Sequence, residues 1–342
     1  MKCATCRQPA SVELPGQRSA FCPPCFVRHV HEKVDRTISG ARMLGRSERA
    51  LVAVSGGKDS LCVWDVLVEL GFATEGVYLD LGIGAYSERS KAAAASFAEQ
   101  RGLVLNVVDV ASELGAGIPD AARVGARSAC GVCGLSKRHL LNRAALERGF
   151  DVVVTGHNLD DEAAVLLGNV LSWNLDQLSR QRPVLASQPG FARRVKPLVR
   201  TSEWEAAAYC VVRGIDYVVE ECPMAGGNRH LFYKELLGSL EERSPGTSAA
   251  FYRGFQRRLL PVLDEALAER DHEELVDGEV AGRQSLGVQL RACEQCGSPT
   301  TGSTCAFCRV RAQVRRRARR PANPSDSLGV PSSAPSASTG DH

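Results

Sequence analysis

The amino-acid sequence predicts an α/β fold, a doubly wound parallel sheet with a small cysteine-rich module on either side of it in the chain. Three observations predict it. Between residues 50 and 270, short apolar runs alternate with amphipathic stretches, the pattern of βα units whose crossovers make strands parallel. One of these runs, Leu51 to Val54, passes through Ser-Gly-Gly-Lys-Asp-Ser straight into apolar residues at helical spacing. Paired Cys-x2-Cys knuckles stand at residues 3–25 and again at 293–308, spaced as in four-thiolate zinc sites.

Taken in order, residues 1–30 form the first zinc ribbon, on Cys3, Cys6, Cys22 and Cys25. Residues 31–49 read as a helical connector. Within 50–270, "ALVAV", "EGVYLDL", "LVLNVVDV", "DVVVTG" and "DYVVEE" read as buried strands, short and rich in valine. "SLCVWDVLVEL", "SERSKAAAASFAEQRG", "GLSKRHLLNRAALERG" and "LDDEAAVLLGNVL" read as the helices between them. Residues 228–270 read as two closing helices, with "SPGT" as the break and N-cap between them. Residues 271–290 are acidic and then glycine-containing, a linker. Residues 291–312 form the second ribbon, on Cys293, Cys296, Cys305 and Cys308. Residues 313–342 begin basic, within a run from Arg309 to Arg320, and turn Pro/Ser-rich from Pro321, a composition that predicts disorder. Neither ribbon has enough apolar residues to fold unaided, so metal binding would supply the missing stability.

Composition narrows the functional class. The chain has 342 residues, 44% hydrophobic and 24% charged, as in ordinary globular proteins. No run of eighteen apolar residues exists, so no transmembrane helix is expected, and "MKCATCRQPA" lacks the apolar stretch of a signal peptide. Thirteen cysteines, an odd number, in a chain read as cytoplasmic argue against a disulfide framework and for metal-binding or catalytic thiols. The net charge is only +3, yet just seven of the 42 basic residues are Lys. Arginine favours bidentate phosphate contacts, although a GC-rich genome produces the same bias.

The glycine loop is an anion site. Gly56 and Gly57 permit a tight turn, and the loop amides together with the helix N-terminus form a phosphate cradle. It is not a Walker A loop: Lys58 is followed by Asp59, and the upstream glycine is absent.

A second set of thiols lies in mid-chain. Cys130 and Cys133 stand just before a predicted helix, whose N-terminus lowers a thiol pKa, and Cys222 follows the last predicted strand. Ligands gather at the carboxyl ends of strands in such sheets, so these thiols, the loop and the segment 156–162 are expected in one crevice. Spacing leaves three readings open: ligands of a [4Fe–4S] cluster with one open iron, a third zinc site, or a redox pair carrying a persulfide. Cys62 and Cys210 sit in apolar helical contexts and read as packing residues. In "GHNLDDEA", Gly156 allows close approach of a nucleotide, and Asp161 is the candidate Mg2+ ligand, while Asp160 and Glu162 read as helix-start acids. His157 reads equally as base, nucleotide contact or satisfied polar residue. Lys137, one turn past Cys133, reads equally as a group neutralising an α-phosphate or oxyanion and as a solvated helix lysine. The run "RVRAQVRRRARR" suits a phosphate backbone, with a solvated charged tail as the alternative.

"SGGKDS", "CGVCGLSKRHLLN", "GHNLDDEA" and "VEECP" together resemble the TtuA-type tRNA 2-thiouridine synthetases, a branch of the PP-loop ATP pyrophosphatases (adenine nucleotide alpha hydrolase-like fold). The resemblance covers about residues 1–310. "SPGT", "GNVLSWN" and the second ribbon separate it from the 2-thiocytidine enzymes, which lack paired terminal ribbons. It implies that Cys130, Cys133 and Cys222 hold a [4Fe–4S] cluster. It implies that Ser55, Gly56, Gly57, Lys58, Asp59 and Ser60 hold the pyrophosphate of ATP, and that Lys137 and Asp161 belong to the active site. Gly156 becomes a nucleotide contact, and the backbones of Ala53 and Leu79 frame the adenosine. Implied partners are tRNA, a sulfur donor (a ubiquitin-like protein thiocarboxylate, or sulfide) and a second copy of the chain, with no membrane. The implied reaction adenylates the C2 oxygen of a uridine, at position 54 first, and exchanges it for sulfur. Wobble uridine 34, cytidine 32, a non-thiolating PP-loop ligase and a zinc-dependent RNA-binding adaptor are the alternatives.

Overall fold

The structure is a computed structural model that describes residues 1–17, 19–125, 127–226, 229–266 and 290–318. The expected linker at 271–290, but for its last residue, and the Pro/Ser-rich segment from Pro321 lie outside the described residues.

Two short strands, β1 (Val12–Leu14) and β2 (Ser19–Phe21), pair antiparallel ahead of helix α1 (Pro23–Gly40). The α/β region runs β3 (Arg49–Val54), α2 (Lys58–Glu69), β4 (Ala73–Asp80), α3 (Gly84–Gln100) and β5 (Leu105–Asp109). It continues through α4 (Val110–Leu114), α5 (Ile118–Val124), α6 (Ala129–Glu147), β6 (Val152–Thr155), α7 (Leu159–Leu171) and α8 (Leu175–Arg180). Then come β7 (Val184–Leu185), β8 (Arg193–Val195), α9 (Glu203–Arg213), α10 (Arg229–Arg243) and α11 (Thr247–Gly254). Strands β9 (Arg291–Ala292) and β10 (Pro299–Thr300) pair antiparallel before α12 (Ala306–Ala318).

The central sheet has six strands in the order β5-β4-β3-β6-β8-β7, parallel except for β7 at one edge. Its strands bury both faces, because successive side chains point to opposite sides. Ala50, Val52 and Val54 of β3 join Val152 and Val154 of β6 in one core, with Trp64 of α2, Phe97 of α3 and Tyr209 of α9. Leu51, Val77 and Val153 face the other way, into a core shared with Leu140 of α6, Leu114 of α4, and Phe307 and Val314 of α12. Helices therefore cover both faces, as expected for a doubly wound sheet. No helix among the described residues is long and apolar enough to cross a membrane.

Three expectations need correction. "DYVVEE" is not a strand: after Gly214 the chain is extended and makes one bond toward the site, from the Val218 amide to the Gly56 carbonyl, while Val219 faces solvent. The place beside β6 is taken instead by β8, whose sequence Arg-Arg-Val gives no apolar signal. Helix α6 starts at Ala129 with Ser128 as its cap, so Cys130 and Cys133 lie inside its first turns rather than before it. The "SPGT" break does end α10, but the capping acceptor is the Glu241 carboxylate, which takes the amides of Gly246 and Ser248.

Candidate functional site

The loop between β3 and α2 is pinned by its own hydroxyls. Ser60 Oγ accepts from the Ser55 amide at 3.1 Å and donates to the Gly57 carbonyl at 2.9 Å. Gly56 has φ +76°, and a Cβ there would meet the Ser90 carbonyl oxygen of α3 at 2.2 Å, so only glycine fits this turn. Gly57 caps α2 without any side-chain acceptor, which leaves first-turn amides of the helix for an anion. Gly156, at the end of β6, sits against the Asp59–Ser60 peptide: a Cβ would lie 2.8 Å from its atoms. This glycine admits the loop's own backbone as well as lining the cavity described below.

Charges are arranged around this loop by three other segments. Asn158 and Asp161 form a reciprocal capping box on α7, and Asn158 Nδ2 also donates to Asp59 Oδ1 at 3.0 Å. Burial raises the Asp59 carboxyl above its ordinary range, against the pull of Lys58 and Asn158. Lys58 Nζ donates to Glu203 Oε1 at 2.6 Å, and Lys234 Nζ bridges Glu203 Oε2 at 2.8 Å and Asp161 Oδ1 at 2.7 Å. Burial would depress both ammonium groups, but their carboxylate partners more than reverse it. Asp160 accepts from the Glu203 amide at 2.6 Å, and Glu162 is buried on Lys196 and Tyr252, so both serve structure. His157 Nδ1 bonds Thr155 Oγ1 at 2.8 Å.

A cavity of about 530 Å³ opens over the carboxyl ends of β4, β3, β6 and β8. Of the expected residues it brings together Ala53, Ser55, Asp59, Ser60, Leu79, Lys137, Gly156 and Asp161. Ala53 and Leu79 belong to the adjacent parallel strands β3 and β4, where Ala53 pairs with Val77 and Leu79 lies two residues further along β4. Gly56, Gly57 and Lys58, in the same loop, are not among the lining residues.

The three middle thiols are outside that lining. Cys222 borders a second hollow of about 410 Å³, with Arg229 and Phe232. Cys130 Sγ lies 3.6 Å from the Met224 carbonyl, which ties the start of α6 to the Cys222 turn. Cys133 is close enough to feel both other thiols and Lys137; burial pushes its thiol up, contrary to the helix-terminus expectation. Cys62 and Cys210 are fully buried, and the Cys210 thiol donates to the Lys58 carbonyl, as packing residues do.

The terminal cysteines do meet. The sulfurs of Cys3, Cys6, Cys22 and Cys25 all lie within 4.8 Å of one another, as do those of Cys293, Cys296, Cys305 and Cys308. The Cys6–Cys22 and Cys296–Cys305 pairs are 3.5 and 3.7 Å apart, close to the ~3.8 Å that a tetrahedron with Zn–S bonds of ~2.3 Å requires. Cys130, Cys133 and Cys222 form no such tight set. Three thiolates on separate irons of a cluster stand wider apart than four on one zinc, so this donor set fits a cluster better than a third zinc.

The sequence did not expose Glu203, Lys234, Arg138 or Arg194 as site residues. Arg138 is next to Lys137 in the chain but gives no signal of its own, and Glu203, Lys234 and Arg194 come from segments distant from the loop.

A PP-loop domain model matches residues 28–224. The chain is 48% identical to a tRNA-5-methyluridine(54) 2-sulfurtransferase of Thermus thermophilus, over 94% of each chain. It is 38% identical to the Pyrococcus horikoshii protein of the same name, over 90% of this chain and 93% of that one. Its fold matches the U34-tRNA thiolase NcsA from Methanococcus maripaludis, solved with its [4Fe–4S] cluster, at TM-score 0.73 and 24% identity, covering 91% and 95% of the two chains. The chain belongs to the PP-loop family, in its tRNA 2-sulfurtransferase branch.

Proposed function

We propose that the protein adenylates the C2 oxygen of uridine 54 of a tRNA with ATP and replaces that oxygen with sulfur. The observation that carries this is one cavity joining the loop at Ser55 and Ser60 to Lys137, which stands one turn beyond Cys133 on α6.

The loop amides and Lys58 hold the β- and γ-phosphates. The backbones of Ala53 and Leu79 frame the adenosine, with Gly156 beside it. Each Asp161 carboxylate oxygen accepts one hydrogen bond here, which leaves lone pairs for a Mg2+ ion on the triphosphate. The uridine, taken out of its stack, offers its C2 oxygen to the α-phosphorus. The bond to the β-phosphate breaks, and pyrophosphate leaves with the electron pair. Lys137 neutralises the charge that grows on the α-phosphate oxygens. Hydrosulfide, supplied as sulfide or released when water cleaves the acyl–sulfur bond of a protein thiocarboxylate and leaves a carboxylate, then adds at C2, and the C2–O bond breaks to release AMP. A [4Fe–4S] cluster on Cys130, Cys133 and Cys222 would supply an open iron able to bind that sulfur. Residues 50–270 form the catalytic unit in this reading, and the ribbons with the arginines of α12 hold the tRNA. The reading takes the protein to the cytoplasm, where free thiols persist.

The test is anaerobic incubation with a tRNA transcript, ATP and sulfide, with AMP and 2-thiouridine both measured. One AMP per thiouridine is expected, together with loss of product but not of ATP binding in Cys222→Ala. Full product from Cys222→Ala contradicts the proposal and favours a ligase that needs no crevice thiols.

A further inference from the structure

Arg138 and Arg194 stand side by side in the wall of the main cavity. Among the described residues neither has a carboxylate partner; Arg194 Nη2 donates only to the Arg138 carbonyl, at 3.4 Å. Their neighbours behave differently. Arg193, on the same strand, pairs with Glu48 at 2.5 Å, and Lys196 pairs with Glu162 at 2.7 Å. Side chains at alternate strand positions share a face, so Arg194 and Lys196 both turn to the cavity while Arg193 turns away. Arg138 comes from the third turn of α6, next to Lys137.

Two arginines in one cavity wall with no carboxylate between them leave a net positive site, which an anion would neutralise. Burial, and then Arg138 itself, depress the Arg194 guanidinium below its ordinary range. Arg194 stands apart from the phosphate loop. Arg194 lies on β8, two strands from β3, whose end carries the loop; two strand spacings are about 10 Å. The β4 end of the cavity is lined by Leu79, Leu81 and Tyr86, so the cavity has an apolar end and a cationic end with the loop between them.

We propose that Arg138 and Arg194 together bind a backbone phosphate of the tRNA strand that carries the target nucleotide, and so hold its base over Lys137. This rests on the tRNA-thiolation reading above and goes beyond it by assigning the contact. A nucleic acid is favoured over the single carboxylate tail of a donor protein because a second set of arginines lies on α12, the helix packed against α6. His139, next in the chain to Arg138, stacks on Phe307 of α12 with ring centroids 4.1 Å apart. That helix carries Arg309, Arg311, Arg315, Arg316 and Arg317, none paired with a carboxylate among the described residues. An extended polyanion spans both sets, whereas one carboxylate uses only the first.

The test uses the full chain and an unmodified tRNA transcript, with the dissociation constant measured across a salt series and ATP affinity measured alongside. Arg138→Ala and Arg194→Ala are each expected to weaken tRNA binding by about tenfold and to lower the log–log salt slope by about 1, with ATP affinity within about twofold of wild type. Arg138 is exposed on a helix, so its variant folds even where Arg194→Ala does not. Arg194→Lys keeps the charge but not the fork, and is expected to keep the slope while losing part of the affinity. Wild-type tRNA affinity and slope in both alanine variants overturn the proposal while leaving the thiolation reading intact. Lost ATP affinity with tRNA binding kept overturns it by assigning the pair to the triphosphate. Unchanged tRNA binding with weakened binding of a thiocarboxylate-tailed protein overturns it in favour of the donor. A wild-type chain that binds no tRNA overturns the thiolation reading itself, and this proposal with it.

Discussion

Lys234 on α10 donates to Asp161 in the first turn of α7 at 2.7 Å, and through Glu203 it shares a carboxylate with Lys58 of the phosphate loop. A helix beyond the matched PP-loop residues thus fixes a candidate Mg2+ ligand. Replacing Lys234 by Met leaves Asp161 and Glu203 half-buried with one cation between them. Folding stability is expected to drop by about 1–3 kcal/mol, read as a lower urea midpoint at constant slope, and ATP affinity to weaken several-fold. A variant with wild-type midpoint and wild-type ATP affinity would show that the bridge is incidental.

Glu205 ties the first ribbon and α1 to α9. Its carboxylate takes Lys33 Nζ at 2.7 Å and Gln17 Nε2 at 3.0 Å, with His29 at 3.6 Å. Burial alone would raise its pKa, but His29 and Lys33 more than reverse that and hold it down at about 2, against 4.5 for a free glutamate. A carboxyl with a depressed folded-state pKa stabilises above its unfolded value and loses that contribution as pH falls through the folded value. About 3 kcal/mol should therefore vanish between pH 4.5 and about 2. Chemical denaturation across that window is expected to show a flatter profile for Glu205→Gln than for wild type, and parallel profiles would refute the assignment.

Each terminal thiol set should hold one zinc. Atomic spectroscopy of the isolated protein is expected to give two zinc per chain, and one in either Cys3→Ser or Cys308→Ser. The Cys308 variant should also loosen α12 from α4, α5 and α6, seen as faster amide exchange in those helices. Two zinc retained in either variant would exclude that set as a metal site.

The buried thiols should behave differently from Cys222. Cys210→Ala and Cys62→Ala are expected to cost about 1–2 kcal/mol of stability and to leave the yield of thiolated product per folded molecule unchanged. Lost product at unchanged stability would place one of them in the chemistry.

The parts of the fold legible in the sequence were those with local signals. The loop from Ser55 to Ser60 combined a buried strand, two glycines and a helix start. The Cys-x2-Cys knuckles carried their own spacing. Strand β8 was illegible because Arg193 and Arg194 give no apolar pattern; Arg194 is there to face the cavity. "DYVVEE" misled because three apolar residues in a row mimic a buried strand, whereas the segment serves the loop through a single amide. The first turns of α6 were hidden by small residues and two cysteines. The Lys58–Glu203–Lys234–Asp161 chain joins four separate segments, so no window of sequence contains it.

The central claim is sulfur transfer to a tRNA uridine, and mapping the modification tests it most directly. Nucleosides and position-assigned fragments of tRNA from cells with and without this gene would be compared by mass spectrometry. The account predicts loss of a 2-thio group from uridine 54 and its return when the gene is restored. Unchanged thiolation at every position, in cells shown to contain no second thiolating enzyme, would contradict it.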